Sequence, residues 1–295
     1  MLFVRPELPV DPPIVAVLGA VHAAATALNV DYFLVGATAR DVLLTHVFGR
    51  PPGRATRDVD FALAVADWAA FGNIKDHLQS TGKFVPDARA LHRLRFNNAS
   101  YKHAISVDLV PFGGVANAEN VIAWPPDMAI IMNVTGFSDA LRAAVLVQIE
   151  HGLVVKVASF SGLSLLKLIA WKDRRAEDPK DAIDFVLMLR NYEHMGNQDR
   201  IYGEALSALE RVDYDPELAG AWLLGRDAAE IAAATTRSTV AEIMQDAAML
   251  NYLITDMAKA LRGREDSITY ATVLAHQFRE GFSFFTAENP AYGER

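Results

Sequence analysis

Apolar positions along this chain recur with two different periods, and the changes of period outline its parts. Ile14, Val17, Leu18, Val21, Ala25 and Leu28 lie three or four apart, which predicts an amphipathic helix. Asp11 stands where a helix N-cap belongs, and Pro12 suits the first turn. The stretch is too short to cross a bilayer, which takes roughly 20 apolar residues. The acidic DPP before it lacks the basic head of a signal peptide. The run Tyr32–Val35 reads as a short buried strand closing at Gly36, and ARDVLLTHVF reads as a helix. In DVDFALAV the period falls to two. Val59, Phe61, Leu63 and Val65 take one side, and Asp58, Asp60, Ala62 and Ala64 take the other. DWAAFGNIKDHLQSTG predicts a helix ending at Gly82, and HRLRFNNA and HAISVDLVPFGG predict two further strands. Helices interleaved with strands indicate a sheet domain of the α/β or α+β kind.

From Ala116 the pattern loosens. DMAIIMNVTGF and GLVVKVASF are strand-like, with a short helix at 138–144 between them. Beyond Ser161 the helical period dominates. SGLSLLKLIAWKDRR and DPKDAIDFVLMLRNY predict a helical hairpin whose second helix starts at Asp178-Pro179. TVAEIMQDAAMLNYLITDMAKAL predicts one long helix opened by a capping box of Thr239 and Glu242. The expected class is α+β: a mixed sheet domain with flanking helices over 1–160, then a mainly helical domain over 161–295.

Composition narrows the chemistry. A chain of 295 residues that is 52% hydrophobic can bury a sizeable core. A net charge of −8 argues against a general polyanion binder but leaves room for a local basic patch. The absence of cysteine removes disulfides, thiolate nucleophiles and cysteine zinc sites, and it fits a reducing cytoplasm.

The aspartates are harder to place in so apolar a strand. Asp58 and Asp60, two apart, share a strand face, and the alternation in ISVDLV puts Ser106 and Asp108 on one face of another strand. If those strands pair, three carboxylates converge, and like charges so close need a counter-cation. Magnesium is suited to such a set of hard oxygen ligands. Two ions about 4 Å apart can stabilise both the attacking and the leaving oxygen of a phosphoryl transfer. Upstream, LVGATARD places a glycine where a strand meets a helix, and free N–H groups at a helix start bind phosphate. Gly36 permits close approach, Thr38 adds a hydroxyl, and Arg40 offers a planar fork. Singly, each feature also has an ordinary structural explanation, as a solvated strand edge or a simple turn.

Taken in order, the set strand, Gly36-Ala37, helix, Asp58-Val59-Asp60 and then Asp108 resembles the polymerase-beta-like nucleotidyltransferase superfamily. GATARD with DVDFAL is similar to its longer-spaced form, G-G-x-x-R-D followed by D-x-D. The departure is Ala37, where that pattern has Gly or Ser; alanine keeps its N–H but resists a positive φ. Further on, LLKLIAWKDRRAEDPKDAIDF holds Lys167, Trp171 and Arg174 at helical spacing, followed by Asp181 and Asp184. That order is similar to the AbiEii and MenT toxin nucleotidyltransferases of bacterial toxin–antitoxin systems. The resemblance covers roughly residues 31–192.

The resemblance implies a polymerase-beta-like sheet for the N-terminal domain. It makes Asp58, Asp60 and Asp108 the metal ligands for two Mg2+ ions. It makes Gly36, Ala37, Thr38, Arg40 and Lys167 the nucleotide-binding set, and it completes the catalytic set with Lys167 and Asp181, Asp184 being the fallback. The implied reaction moves a nucleoside monophosphate from an NTP to an acceptor hydroxyl, with the 3′ end of tRNA the favoured acceptor and a cognate antitoxin a protein partner. Arg54 and Arg57, with Arg93, Arg95 and Lys102, would then form a basic surface for RNA, although a scatter of solvated arginines reads as well from residues alone. Bland readings also exist for the second set: Lys167 snorkelling from a helix face, Asp181 favoured by a helix dipole, and Asp184 paired at the surface with Lys180. Three alternatives stay open. The acceptor could be an aminoglycoside-like small molecule or a partner protein, or the core could be a non-catalytic nucleotide-binding module.

Overall fold

The computed structural model describes residues 1–53, 58–98, 100–101 and 103–288. The chain divides into two compact units, Met1–Ser159 and Phe160–Arg295. In the first unit the strands are β1 (Leu2–Phe3), β2 (Asp31–Val35), β3 (Asp58–Val65), β4 (Phe84–Pro86), β5 (Arg93–Phe96), β6 (Ile105–Gly113), β7 (Val121–Ala123), β8 (Ile131–Asn133), β9 (Val145–Glu150) and β10 (Leu153–Val157). Its helices are α1 (Pro12–Ala27), α2 (Gly36–Asp41), α3 (Trp68–Ser80) and α4 (Phe137–Arg142). One mixed sheet runs β1-β9-β10-β2-β3-β6-β5-β4, and β7 and β8 pair separately.

β3 is an inner strand, antiparallel to β2 and parallel to β6. Its alternation does what the sequence predicts: Val59, Phe61 and Leu63 are fully buried, as are Val107 and Leu109 of β6. Phe33 and Leu34 of β2 are both buried although they point to opposite faces, so this strand is covered on both sides. At the end of β3 Asp67 caps α3 by accepting a hydrogen bond from the Ala70 N–H at 2.8 Å.

Several expectations need correction. The helix after β2 begins at Gly36 itself and passes into a π-helical segment, Val42–Val47. Asp11 sits at the N-cap of α1, but its side chain makes no capping hydrogen bond. Of DMAIIMNVTGF only Ile131–Asn133 is strand. The short strands β1, β4 and β7 and the strand β9 had no period long enough to read.

The second unit is helical among the described residues: α5 (Phe160–Arg174), α6 (Lys180–Asn191), α7 (Gln198–Tyr202), α8 (Leu206–Arg211), α9 (Pro216–Ile231), α10 (Ala234–Gln245), α11 (Ala247–Ala258) and α12 (Ser267–Glu288). The single long helix expected from Thr239 onward is instead two. Asp246 leaves helical geometry at ψ 118 and accepts from the Met249 N–H at 2.7 Å, so it caps α11 and ends α10. Thr239 lies inside α10, where its hydroxyl donates to the Thr235 carbonyl, and no capping box forms with Glu242. No helix among the described residues is long and apolar enough to cross a membrane.

Glycines set the packing of α9 on α12. A Cβ on Gly281 would lie 1.9 Å from the Trp222 carbonyl oxygen, and one on Gly225 would lie 2.0 Å from that of Phe278. Gly→Ala inside a helix ordinarily stabilises by about 1 kcal/mol. Here Gly281→Ala is expected to destabilise by about 1–3 kcal/mol through overpacking. Urea unfolding of the variant reads the sign, and a gain in stability would refute the close contact.

Candidate active site

The site grows out of strand register. In the parallel pair of β3 and β6, Asp58 faces Ser106 and Asp60 faces Asp108. β5 continues the rows antiparallel, with Arg93 opposite Asp108 and Arg95 opposite Ser106. Directly opposed residues share a face, so one face carries the row Asp60, Asp108, Arg93 beside the row Asp58, Ser106, Arg95. All three predicted carboxylates thus lie on one face of neighbouring strands, about 4.8 Å apart from strand to strand.

On the other flank β2 brings Val35 opposite Asp60, and the next residue is Gly36. Gly36 has φ +70, and a Cβ there would lie 2.1 Å from Asp60 Oδ2. Only glycine meets both demands, the left-handed backbone and the carboxylate lying against its Cα. Ala37 is buried and is not among the residues with positive φ, so its backbone conformation makes no demand for glycine. The Thr38 hydroxyl donates to the Asp58 carbonyl at 2.7 Å, fastening the start of α2 to the start of β3. Arg40 is 1% exposed, and its Nε donates to Asp41 Oδ1 at 2.8 Å. A guanidinium so placed braces α2.

Arg93 was grouped with the basic surface, but the structure gives it another partner. Its Nε donates to Asp108 Oδ1 at 2.7 Å and its Nη2 to Oδ2 at 2.8 Å. This hydrogen-bonded fork holds the guanidinium proton more tightly than usual, with the charges of Asp108 and Asp58 adding to it. His92 Nε2 stands 3.9 Å from Asp108 Oδ2. Burial pushes the imidazole below its ordinary value despite Asp108, and Arg93 and Lys75 push the same way, so at neutral pH it is uncharged. Arg95 is exposed, while Arg54, Arg57 and Lys102 lie outside the described residues.

The donor chemistry suits magnesium, since Asp58, Asp60 and Asp108 offer hard oxygen ligands on one face. Among the described residues no three such side chains are gathered closely enough to hold a metal. Asp108 is instead paired with the Arg93 guanidinium, 2.7 Å from its Nε.

Lys167, Asp181 and Asp184 belong to the second unit and form a cluster of their own. Lys167 Nζ donates to Asp181 Oδ1 at 2.9 Å and to Asp184 Oδ2 at 2.7 Å, and Arg174 Nε donates to Asp181 Oδ2 at 2.8 Å. Both aspartates are 1% exposed or less. Burial disfavours the charged ammonium, but Asp184 and Asp181 outweigh it and hold the Lys167 pKa above its ordinary value. Burial likewise opposes the Asp181 carboxylate, but Lys167 and Arg174 outweigh it and hold its pKa below the usual range. The surface pair of Asp184 with Lys180 does not form, and Lys180 instead sits 3.4 Å from Asp178. Trp171 turns into the core, its indole N–H donating to Asp256 at 2.9 Å. Sequence reasoning missed the part of Arg93, although RLRF places two arginines on one strand face, and it treated Asp181 and Asp184 as alternatives where the lysine holds both.

A glycine turn against one carboxylate, with two more on the same sheet face, agrees with the arrangement that the sequence resemblance implies. The chain matches the family described as nucleotidyl transferase AbiEii toxin, type IV toxin–antitoxin system, over residues 21–275, and it belongs to that family. No curated protein matches it in sequence. Among solved structures it is similar to an antigenic nucleotidyltransferase-like protein from Paracoccidioides brasiliensis, with 15% identity, a TM-score of 0.42 and 69% of this chain covered against 93% of that one. It is also similar to JHP933 from Helicobacter pylori, with 11% identity, a TM-score of 0.42 and coverage of 97% and 100%. The Thermotoga maritima CCA-adding enzyme complexed with tRNA gives 12% identity, a TM-score of 0.25 and coverage of 95% and 83%.

The buried lysine cluster yields a stability prediction. Lys167→Met leaves two buried carboxylates short of a cation and is expected to cost about 3–5 kcal/mol. The folded pKa of Asp181 is depressed, so its contribution is present above the unfolded value of about 4 and fades as pH falls through the lower folded value. The folded pKa of Lys167 is raised, so its contribution is present below the free-lysine value and lost only as pH rises through the higher one. Thermal unfolding between about pH 2 and pH 7 should therefore show an acid loss of stability that is shallower in Lys167→Met. Equal stability and equal pH profiles would show that the cluster does not hold the unit together.

Proposed function

We propose that this nucleotidyltransferase uses the acidic face of its first unit, with magnesium, to join a nucleoside monophosphate to an acceptor hydroxyl on RNA, the 3′ end of tRNA being the preferred acceptor. One observation carries the reading: strand register sets Asp58, Asp60 and Asp108 on one face, and Asp60 lies against the glycine turn. The acceptor oxygen forms a bond to the α-phosphorus of the NTP, the bond from that phosphorus to the bridging oxygen breaks, and pyrophosphate leaves. Asp58, Asp60 and Asp108 would hold the magnesium, and Asp108 is the base that receives the hydroxyl proton. Bound there, the ions would lower the acceptor's pKa and neutralise phosphate charge. The Gly36, Ala37 and Thr38 N–H groups would bind the triphosphate, with Gly36 allowing the approach. Arg40, buried against Asp41, keeps the turn in shape.

Exposed Arg95, on the same face as the carboxylates, and exposed Arg89 support an RNA acceptor. A cognate antitoxin and a cytoplasmic site of action belong to this reading through the family. A second reading, a hydroxylated small molecule or a partner protein as acceptor, is favoured by the engagement of Arg93 with Asp108, which removes one cation from the basic surface.

Incubation with each labelled NTP, magnesium and total cell RNA shows which molecule acquires the label. Asp60→Ala is expected to lower transfer roughly 100-fold or more, and an unchanged rate would refute the site. Label on RNA, with binding that weakens steeply as salt rises, supports the RNA acceptor. Salt-insensitive transfer to a small molecule overturns it in favour of the second reading.

A further inference from the structure

We propose that Arg93 is a resident counter-cation for Asp108, which a divalent ion must displace before the third carboxylate can join the metal site. The inference rests on the assignment of Asp58, Asp60 and Asp108 as metal ligands. Three observations on this chain lead to it.

The first is position. Arg93 continues the row Asp60, Asp108 onto the next strand, so its head lies on the carboxylate face by register and not by chance contact. The second is geometry. Both Asp108 oxygens accept from one guanidinium, at 2.7 and 2.8 Å. A fork in this arrangement is the strongest form of arginine–carboxylate pairing. The third is partial shelter. The Asp108 side chain is 12% exposed and that of Arg93 is 31% exposed. Asp108 is buried enough that leaving it unpaired is costly, yet Arg93 can reach solvent and move. His92 Nε2, 3.9 Å from Asp108 Oδ2, is too far to share the carboxylate by a hydrogen bond.

A guanidinium and a dication compete for the same carboxylate. The fork occupies one acceptor site on each Asp108 oxygen, and two cations on one small group repel each other. Metal binding at Asp108 therefore includes the loss of the Arg93 pair, so the site gives up some metal affinity in return for a paired carboxylate when empty. Arg93 acts through Asp108 and is thus a positioning residue.

Binding of Mn2+ alone to the full-length chain, followed by the electron paramagnetic resonance of the free ion, tests this without any turnover. Arg93→Met is expected to bind Mn2+ about tenfold more tightly than the wild type, the scale of losing one charged hydrogen-bonded pair. Arg93→Lys keeps the charge but not the fork, so it should fall between them, and it carries the test if the methionine variant does not fold. In an Asp108→Asn background the Arg93 substitutions should change Mn2+ affinity little, because the competition is gone. Melting provides a second readout: without metal Arg93→Met should melt below the wild type, and saturating Mn2+ should raise it by more. Unchanged or weaker Mn2+ binding in both Arg93 variants overturns the proposal while leaving the metal ligands standing. Mn2+ binding that survives loss of Asp58 and Asp60 overturns the ligand assignment, and the proposal with it.

Discussion

Like charges repel, and this chain sets carboxylates side by side in both of its units. Each unit answers that constraint differently. In the first unit the sheet register fixes Asp58, Asp60 and Asp108 on one face, because the opposite side chains of β3 and β6 are committed to the core. Sliding β3 by one residue would turn Phe61 and Leu63 outward, so the core itself enforces the acidic face. The face is then a consequence of burying apolar residues, and its chemistry has to work within that geometry.

The glycine turn is tied to the same strand at two points. Asp60 fills the space where a Cβ of Gly36 would sit, and Thr38 holds the Asp58 carbonyl. The backbone that would meet a triphosphate and the carboxylates that would meet a metal are therefore fastened to the same strand. Such preorganisation suits a reaction in which positioning and electrostatics supply most of the catalysis. It also explains why alanine is tolerated at position 37: the positive φ falls one residue earlier, at Gly36.

Much of this was legible in the sequence, and what was not has physical reasons. The period of two in DVDFALAV and ISVDLV gave the strands and the shared face of the aspartates, because alternation is local. The pairing order of the sheet is not local, so the row linking Asp60 to Asp108 and on to Arg93 appeared only with the fold. Arg93 reads as part of a basic surface because charge in sequence carries no partner with it, and only the fold brings it to Asp108. The break at Asp246 was hidden because an aspartate can be helical or can cap, and only its bond to the Met249 N–H decides between them.

The two cation–carboxylate clusters differ in a way that separates support from exchange. Asp181 and Asp184 are sealed from solvent and share Lys167, with Arg174 completing the shell of Asp181. Removing that lysine would strand buried charge, so the cluster behaves as part of the core of its unit. The Arg93–Asp108 pair is short and well formed too, yet a third of the arginine side chain meets water. A partly exposed guanidinium can be rehydrated as it leaves, which lowers the cost of giving up its partner. Similar bond lengths therefore do not mean similar surroundings: the lysine cluster is enclosed in its unit, and the arginine pair is open to solvent on one side.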